Sequence, residues 1–381
     1  MSSMFFYIYA PFQLIVGVLV DKWEPRKVLT LFVFIMSLGT LIFAYSPSLP
    51  IIFLGRVLIG VGCSGIFIPM PWIIMKYFAY EKRGFLGAIF VFSGNIGFVL
   101  ATLPFAKLIN FSGWRSALAY VAFISFGLAV LLWFFVGDNN SNKIKETQLD
   151  NKDIENLTKR DEKKASWFTI CKELFSTPII RYCVISCMFY AGAQMSFQGL
   201  WAVSFLIDVY KMGKTSASDC VTIIPVGLML GILLLGRFYD TKYGKLLFML
   251  GPVSSLILYL SFFLYTDKFI GFNVFKILFF IWGFCQGADP YILKVYSLIL
   301  PEKYYGSAVG IMNLFPIIGC ALYQSFTGLL FDLSRGGTDV LNRSVGSYKL
   351  YFLFLTLSLI IVILAYFKII KILNKDYKVK V

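Results

Sequence analysis

The chain has 381 residues, 59% hydrophobic and only 14% charged, with a mean hydropathy of +0.78. Soluble proteins carry about 25% charge, so this composition excludes an ordinary soluble globular domain. The net charge of +15 invites a nucleic-acid reading, which the placement of the basic residues excludes.

Eleven apolar stretches follow one another along the chain, at about 4–20, 28–46, 50–76, 84–108, 115–136, 180–208, 219–239, 245–265, 272–300, 306–331 and 348–370. Each is near or above the roughly 20 residues a helix needs to span the hydrocarbon core. The alternating segments of about ten residues that mark a barrel are absent. The expected fold class is an all-α polytopic membrane protein. If the turn at Gly17–Leu29 faces the cytoplasm and sides alternate, inside segments hold 23 of the 35 Lys and Arg and outside segments 7. That is the positive-inside bias. The basic charge then reports topology, with the C-terminus cytoplasmic, and implies a lipid bilayer rather than a nucleic acid as partner. The first span lacks the basic n-region and small-residue cleavage site of a signal peptide.

The seven cysteines, at 63, 171, 183, 187, 220, 285 and 320, lie mostly within spans and are expected to be free, buried thiols. Cys183 and Cys187 share a helix face, but the chain has no His to complete a metal site. No metal and no cofactor are expected. The 40 Phe are expected to be lipid-facing bulk.

Residues 137–178 form the one long polar tract. They are read as a cytoplasmic linker (138–178), whose end, with Trp167, Phe168, Cys171, Leu174 and Phe175, has helical spacing and suits the membrane surface. It divides an N-terminal bundle (1–137) from a C-terminal bundle (179–372) with a tail (373–381). One small device occurs in each part. "GVLVDKWEPRKVL" carries Gly17, Asp21 and Arg26, and "GRFYDTKYGKLLF" carries Gly236, Asp240 and Lys245, at a constant offset of 219 residues. Parallel internal repeats are one way to build secondary transporters, with the site between the halves near the midplane. Some 58 residues of the second half precede Gly236, but 16 precede Gly17. One span with its loop is therefore expected to be missing from the front, giving 11 of 12 helices.

On these residues, the sequence resembles the major facilitator superfamily. Its loop signature between helices two and three, Gly-x-Leu-Ala-Asp-Arg-x-Gly-Arg-Lys, is matched by Gly17, Leu19, Asp21, Lys22, Arg26 and Lys27, and more weakly by Gly236, Asp240, Gly244 and Lys245. The helix-four motif Arg-x-x-Gln-Gly-x-Gly appears as "RVLIGVG", with Arg56, Gly60 and Gly62, and Ile59 replacing Gln. "EKRGFLG", "GWR" and "EKYYGSAVG" look like the loops leading into helices five, six and eleven. Glu24 stands where the loop signature has Gly, and Pro25 restrains it to extended geometry. The Gly-Pro-x-x-Gly-Gly run of drug/proton antiporters is absent around Gly87, Gly94 and Gly97, which disfavours a drug exporter. The resemblance implies two pseudo-symmetric helical bundles, a cavity lined by helices one, four, seven and ten, and a latch role for Asp21 on the inner side.

The remaining candidates come from the residues themselves. An Asp at a span's end, as at 21 and 240, can accept hydrogen bonds from a neighbouring helix N-terminus or be a simple interface charge. Arg56 lies ~9 Å into its span at 1.5 Å per residue, so it faces a cavity or snorkels outward. Asp289, in "GFCQGADPYILK", is the one carboxylate deep within a span. Pro290 and Gly287 weaken the helix there, so Asp289 is the candidate proton-coupling acid; an ion pair with a basic neighbour across helices is the other reading. Tyr190, Gln194, Gln198 and Trp201 form a stripe at spacings of 4, 4 and 3, suited to a cavity wall or to interhelical hydrogen bonds. Asn95 and Asn313 fit either description. Arg56 with Lys294 would suit a carboxylate solute.

The expected function is secondary transport of a small polar solute, an organic anion or amino acid preferred, by alternating access and proton-coupled uptake. The driving force is a proton or ion gradient, and the setting a bacterial inner membrane with the chain as a monomer. A non-transporting remnant or membrane scaffold is the alternative. An enzyme is not expected, because His and paired intramembrane carboxylates are lacking.

Overall fold

A computed structural model describes residues 2–100, 103–135, 167–266, 271–333 and 345–376. Among these residues every regular element is helical. In chain order they are α1 (Ser2–Lys22), α2 (Pro25–Ala44), α3 (Leu49–Phe67), α4 (Pro69–Tyr77), α5 (Tyr80–Leu100), α6 (Leu103–Phe135), α7 (Trp167–Ser176), α8 (Pro178–Ser196), α9 (Ala202–Tyr210), α10 (Lys214–Leu235), α11 (Gly244–Leu247), α12 (Leu250–Tyr265), α13 (Phe272–Gln286), α14 (Tyr291–Ile299), α15 (Tyr305–Leu333) and α16 (Val345–Asp376). Among the described residues, seven helices or helix runs are long and apolar enough to cross a membrane, or eight if Thr169–Ser176 and Pro178–Tyr210 form one span. The other three expected stretches fall on α1, on α5 and on the α13–α14 pair. Most of the polar tract lies outside the described residues. Its end is α7, with Ile170 and Leu174 buried and Lys172 and Glu173 exposed.

Packing divides the chain into two compact units. One comprises Met1–Trp72, Lys107–Thr177 and Leu300–Ile311, the other Ile73–Ala106, Pro178–Ile299 and Met312–Val381. Each takes residues from both sides of the polar tract.

In the first unit α2 and α3 pack against each other through glycine. A side chain at Gly39 would meet Leu58 and Ile59, at Gly55 Phe43, at Gly62 Met36 and at Gly65 Phe32. The partner number falls along α2 as it rises along α3, so the two helices run antiparallel. Without a hydrophobic drive between helices in lipid, such close van der Waals contact is what holds them. Ser37 Oγ ties α2 to α6 by donating to the Ala122 carbonyl at 2.8 Å. Gly113 (φ 78°) breaks α6, where its lack of Cβ makes the conformation inexpensive.

In the second unit Gly227 and Gly231 of α10 face Phe280 and Phe284 of α13, while Gly283 faces Ile224. Here the numbers rise together, so the pair is parallel. The core beside it is aromatic. Phe197, Phe205, Phe262, Phe275 and Phe279, with Tyr259 and Trp282, are no more than 2% exposed. Phe197 sits 5.4 Å from Tyr259 and 5.6 Å from Trp282, edge to face in both cases. Each such pair adds about 0.5–1.5 kcal/mol beyond area burial. This corrects the expectation that phenylalanine is lipid-facing bulk: Phe111, Phe123 and Phe134 are exposed, but another set builds the core. All seven cysteines are free; Cys183 and Cys220 are buried and the rest half-buried.

A Cβ added at Gly231 would overlap the Phe284 carbonyl, whereas one at Gly94 would meet nothing within 4 Å. Gly231→Ala is expected to destabilise the protein by about 1–3 kcal/mol through overpacking. Gly94→Ala should be neutral, or stabilising by up to about 1 kcal/mol. Thermal unfolding of the two variants in detergent checks both.

Candidate functional site

The first four N–H groups of a helix lack intrahelical partners and carry partial positive charge. Asp21, at the end of α1, lies against such a start. Its Oδ1 accepts the Gly306 N–H at 2.7 Å, and its Oδ2 accepts the Ser307 N–H at 2.7 Å and the Ser307 hydroxyl at 2.6 Å. The approach depends on two glycines. A Cβ at Gly17 would come within 2.7 Å of the Gly306 carbonyl, and one at Gly306 within 2.7 Å of Asp21 Oδ1.

The second copy also meets the beginning of a helix in the other unit, one turn further in. Asp240 Oδ1 accepts the Gly84 N–H at 3.2 Å and Oδ2 the Phe85 N–H at 2.9 Å, at the first turns of α5. Gly236 and Gly84 again leave no room for a Cβ, against Ala88 and against Asp240 itself. Asp240 has one partner that Asp21 lacks: Lys294 Nζ lies 2.7 Å from its Oδ1. Lys294 is 4% exposed, and it also donates to the Tyr239 carbonyl at 3.3 Å and sits 4.7 Å from the Tyr80 ring. The sequence reading held that Arg56 with Lys294 would suit a carboxylate solute; in this structure the Lys294 ammonium is ion-paired with Asp240.

The basic members of the two copies reach different groups. Arg26 Nη1 donates to the Trp133 carbonyl at 3.3 Å, near the end of α6, with its guanidinium 5.0 Å from the Trp133 ring. Lys245 Nζ donates to Asn374 Oδ1 at 2.6 Å, near the end of α16. In each case a cation lies at a helix C-terminus, where the dipole favours it. Lys27 pairs with Glu24 at 3.0 Å, and Glu24 is extended, with φ −64° and ψ 136°.

A separate polar centre lies inside the second unit. Asp289 occupies the turn between α13 and α14, which the Gly287–Pro290 sequence breaks. It is half-buried, and Tyr190 OH donates to its two oxygens at 3.1 and 3.0 Å. Gly251 makes the space, since a Cβ there would overlap Asp289 Oδ1 and lie 2.6 Å from the Tyr190 hydroxyl. The Gly287 carbonyl freed by the break accepts from Tyr239 OH. One turn further along α8, Gln194 donates to Ser255 Oγ at 3.1 Å and accepts from Gln286 Nε2 at 3.3 Å. Trp282 Nε1 completes the cluster by donating to Ser255 Oγ at 2.9 Å.

The expected stripe on this helix does not stay on one face. Residues Phe197–Trp201 form a π-helical turn, which adds a residue to the turn and rotates the rest of the helix. Trp201 consequently donates to Thr327 Oγ1 at 2.9 Å, away from the Tyr190–Gln194 cluster, and Gln198 is half-buried in the turn. Asn95 Nδ2 bonds the Val91 carbonyl of its own helix at 2.9 Å, and Asn313 is half-buried on α15. In the first unit, Arg56 is half-buried with its guanidinium 4.5 Å from the Phe43 ring, and its Nε has no hydrogen-bond partner among the described residues. The sequence reading missed Gln286, Ser255 and Gln13. Gln286 was findable, as a polar residue three before Asp289 in an apolar span. Gln13 is fully buried on α1 and donates to the Ser64 carbonyl at 3.2 Å.

Among known proteins, a probable sulfoacetate transporter of Cupriavidus necator, SauU, is 23% identical over 326 residues, covering 82% of this chain and 73% of the relative. A probable hexose phosphate transport protein of Chlamydia muridarum is 23% identical, covering 84% and 73%. The glucose transporter GlcP of Staphylococcus epidermidis is 23% identical, covering 83% and 75%. Among solved structures, the E. coli fucose:proton symporter FucP superposes with a TM-score of 0.70 at 15% identity, over 97% of this chain and 89% of that one. The proton:xylose symporter XylE gives 0.69 at 14% identity, over 98% and 84%. The family model described as Major Facilitator Superfamily matches residues 1–324. The chain is an integral, multi-pass membrane protein and a member of that superfamily of transporters.

Proposed function

We propose that the chain is a secondary carrier that takes up a small polar solute with a proton, by alternating access between two helical bundles (1–137 and 179–372). The observation that carries the reading is Asp289, a carboxylate held by Tyr190 at a break in a transmembrane helix. An intramembrane acid is costly and typically marks a pathway or relay, and its partial exposure leaves it open to proton exchange. Arg56, with an unsatisfied Nε inside its span, suits an anionic solute, as a sulfonate, phosphate ester or carboxylate would be. Organic anions are the cargo named for two relatives, sulfoacetate and hexose phosphate. FucP is a fucose:proton symporter and XylE a proton:xylose symporter. Asp21 and Asp240 act as latches that hold one conformation, with Gly17, Gly236, Arg26, Lys27 and Lys245 supporting them. We place the C-terminus in the cytoplasm of a bacterium and the working unit as a monomer.

Two tests bear on this reading. In proteoliposomes screened with labelled organic anions and amino acids, a one-unit acid-outside gradient should concentrate the transported solute about tenfold for electroneutral one-to-one symport. Asp289→Asn should only equilibrate it, while solute exchange persists. A transported solute that accumulates equally in parent and variant, or a parent that moves none, overturns the proposal. For the latch, Asp21→Ala removes three charge-assisted bonds and should weaken the contact by about 1–3 kcal/mol. Amide hydrogen exchange in 304–310 should accelerate accordingly, with Asp21→Asn intermediate; unchanged exchange would count against a latch.

A further inference from the structure

Within the second unit, where α11 and α12 meet the end of α16, lies a cavity of about 490 Å³. Three ammonium groups border it, those of Lys242, Lys245 and Lys294, against the single carboxylate of Asp240. Lys294 and Asp240 neutralise each other at 2.7 Å. The charges of Lys242 and Lys245 then face the cavity with no lining carboxylate left to balance them. The Asn374 amide oxygen that accepts from Lys245 at 2.6 Å orients that ammonium without cancelling its charge. Lys242 is exposed at the mouth, 5.2 Å from the Tyr243 ring.

Another part of the wall is apolar, formed by Met249, Phe367 and Ile370. Tyr80 also lines the cavity. Burial, reinforced by the nearby Asp240 carboxylate, pushes its phenol up to about 12, so it keeps its proton at neutral pH. The position matters as much as the chemistry. Gly244–Tyr265 and Val345–Asp376 are both long and apolar enough to span a membrane, and the cavity sits at the first turn of one and the last turns of the other. The ends of such spans are where a bilayer's headgroup region begins. Cationic groups beside hydrocarbon suit an anion that carries a hydrocarbon chain better than a fully hydrated ion.

We propose that this cavity binds a phosphate oxyanion, that of an anionic phospholipid headgroup, with Lys242 and Lys245 as its ligands. The cavity is lined by neither Arg56 nor Asp289, so lipid binding is read out separately from solute transport, although Lys245 and Asp240 also belong to the proposed latch.

The test uses the delipidated full-length protein in detergent, titrated with phosphatidylglycerol, phosphatidylcholine or inorganic phosphate. Bound lipid is counted by native mass spectrometry and stability is followed by melting temperature, which rises with any ligand that binds the native state alone. Phosphatidylglycerol should bind saturably and raise the melting temperature, and phosphatidylcholine should not. The Lys242→Gln/Lys245→Gln variant should bind phosphatidylglycerol about tenfold or more weakly, since each charge-assisted bond is worth that much; Lys242→Arg/Lys245→Arg should retain it. Inorganic phosphate that displaces the lipid from the parent protein supports the oxyanion site without requiring any variant to fold. Protection by phosphate with no lipid retained overturns the lipid assignment in favour of a free anion. Equal binding of the two lipids, or full binding by the glutamine variant, overturns the site altogether.

Discussion

A carboxylate set against backbone amides near the start of a neighbouring helix recurs in both compact units, and much else in them is arranged around it. Amides at a helix start carry about half a positive charge between them, and near hydrocarbon they have little water to satisfy them. Asp21 answers this for α15, while Asp240 reaches the Gly84 and Phe85 amides a turn further into α5. Hydrogen bonds of 2.7–3.2 Å demand that the backbones nearly touch, which is why Gly17, Gly306, Gly84 and Gly236 leave no space for a side chain. The exchange is reciprocal. Asp21 precedes the polar tract and its partners come after it, whereas Asp240 comes after the tract and its partners precede it.

The two copies are not equal in strength. The groups that hold Asp21, among them two amides and a hydroxyl, are neutral, whereas Asp240 is also ion-paired to a buried Lys294. Breaking a buried pair leaves a charge without compensation, which costs more than losing a neutral bond. The Arg26–Trp133 and Lys245–Asn374 contacts repeat a second theme in both units, a cation at the end of a long helix.

The centre around Asp289 obeys the same rule about unsatisfied groups in lipid. Breaking a helix frees carbonyls and amides, and here turn hydrogen bonds and the Tyr239 hydroxyl take them up. The Tyr190 phenol and the missing side chain of Gly251 then accommodate a carboxylate beside the break. Farther along, Gln194, Ser255, Gln286 and Trp282 satisfy one another while the aromatic core around Phe197 closes off water. A polar network of this kind is stable only when every member is paired.

Composition and periodicity alone established an all-helical membrane protein, because runs of apolar residues near 20 long admit no other use. The doubled Gly–Asp device was legible too, since a constant offset survives any folding. The site was legible in kinds of residue rather than in partners. An acid beside Gly and Pro in an apolar span stands out, but its hydroxyl donor, Tyr190, lies 99 residues away. Nothing in a linear spacing says that Lys294 meets Asp240 rather than a solute. A regular 4, 4, 3 stripe was misread because one π-turn, at Phe197–Trp201, rotates everything after it. The same blindness hid which phenylalanines face lipid and which build the core, since both faces of a buried helix are apolar. Hydrophobicity summed along the chain is enough to assign each segment its solvent. Which polar group meets which is settled in the folded molecule, because those pairings depend on helix rotation and on approach distances set by glycine.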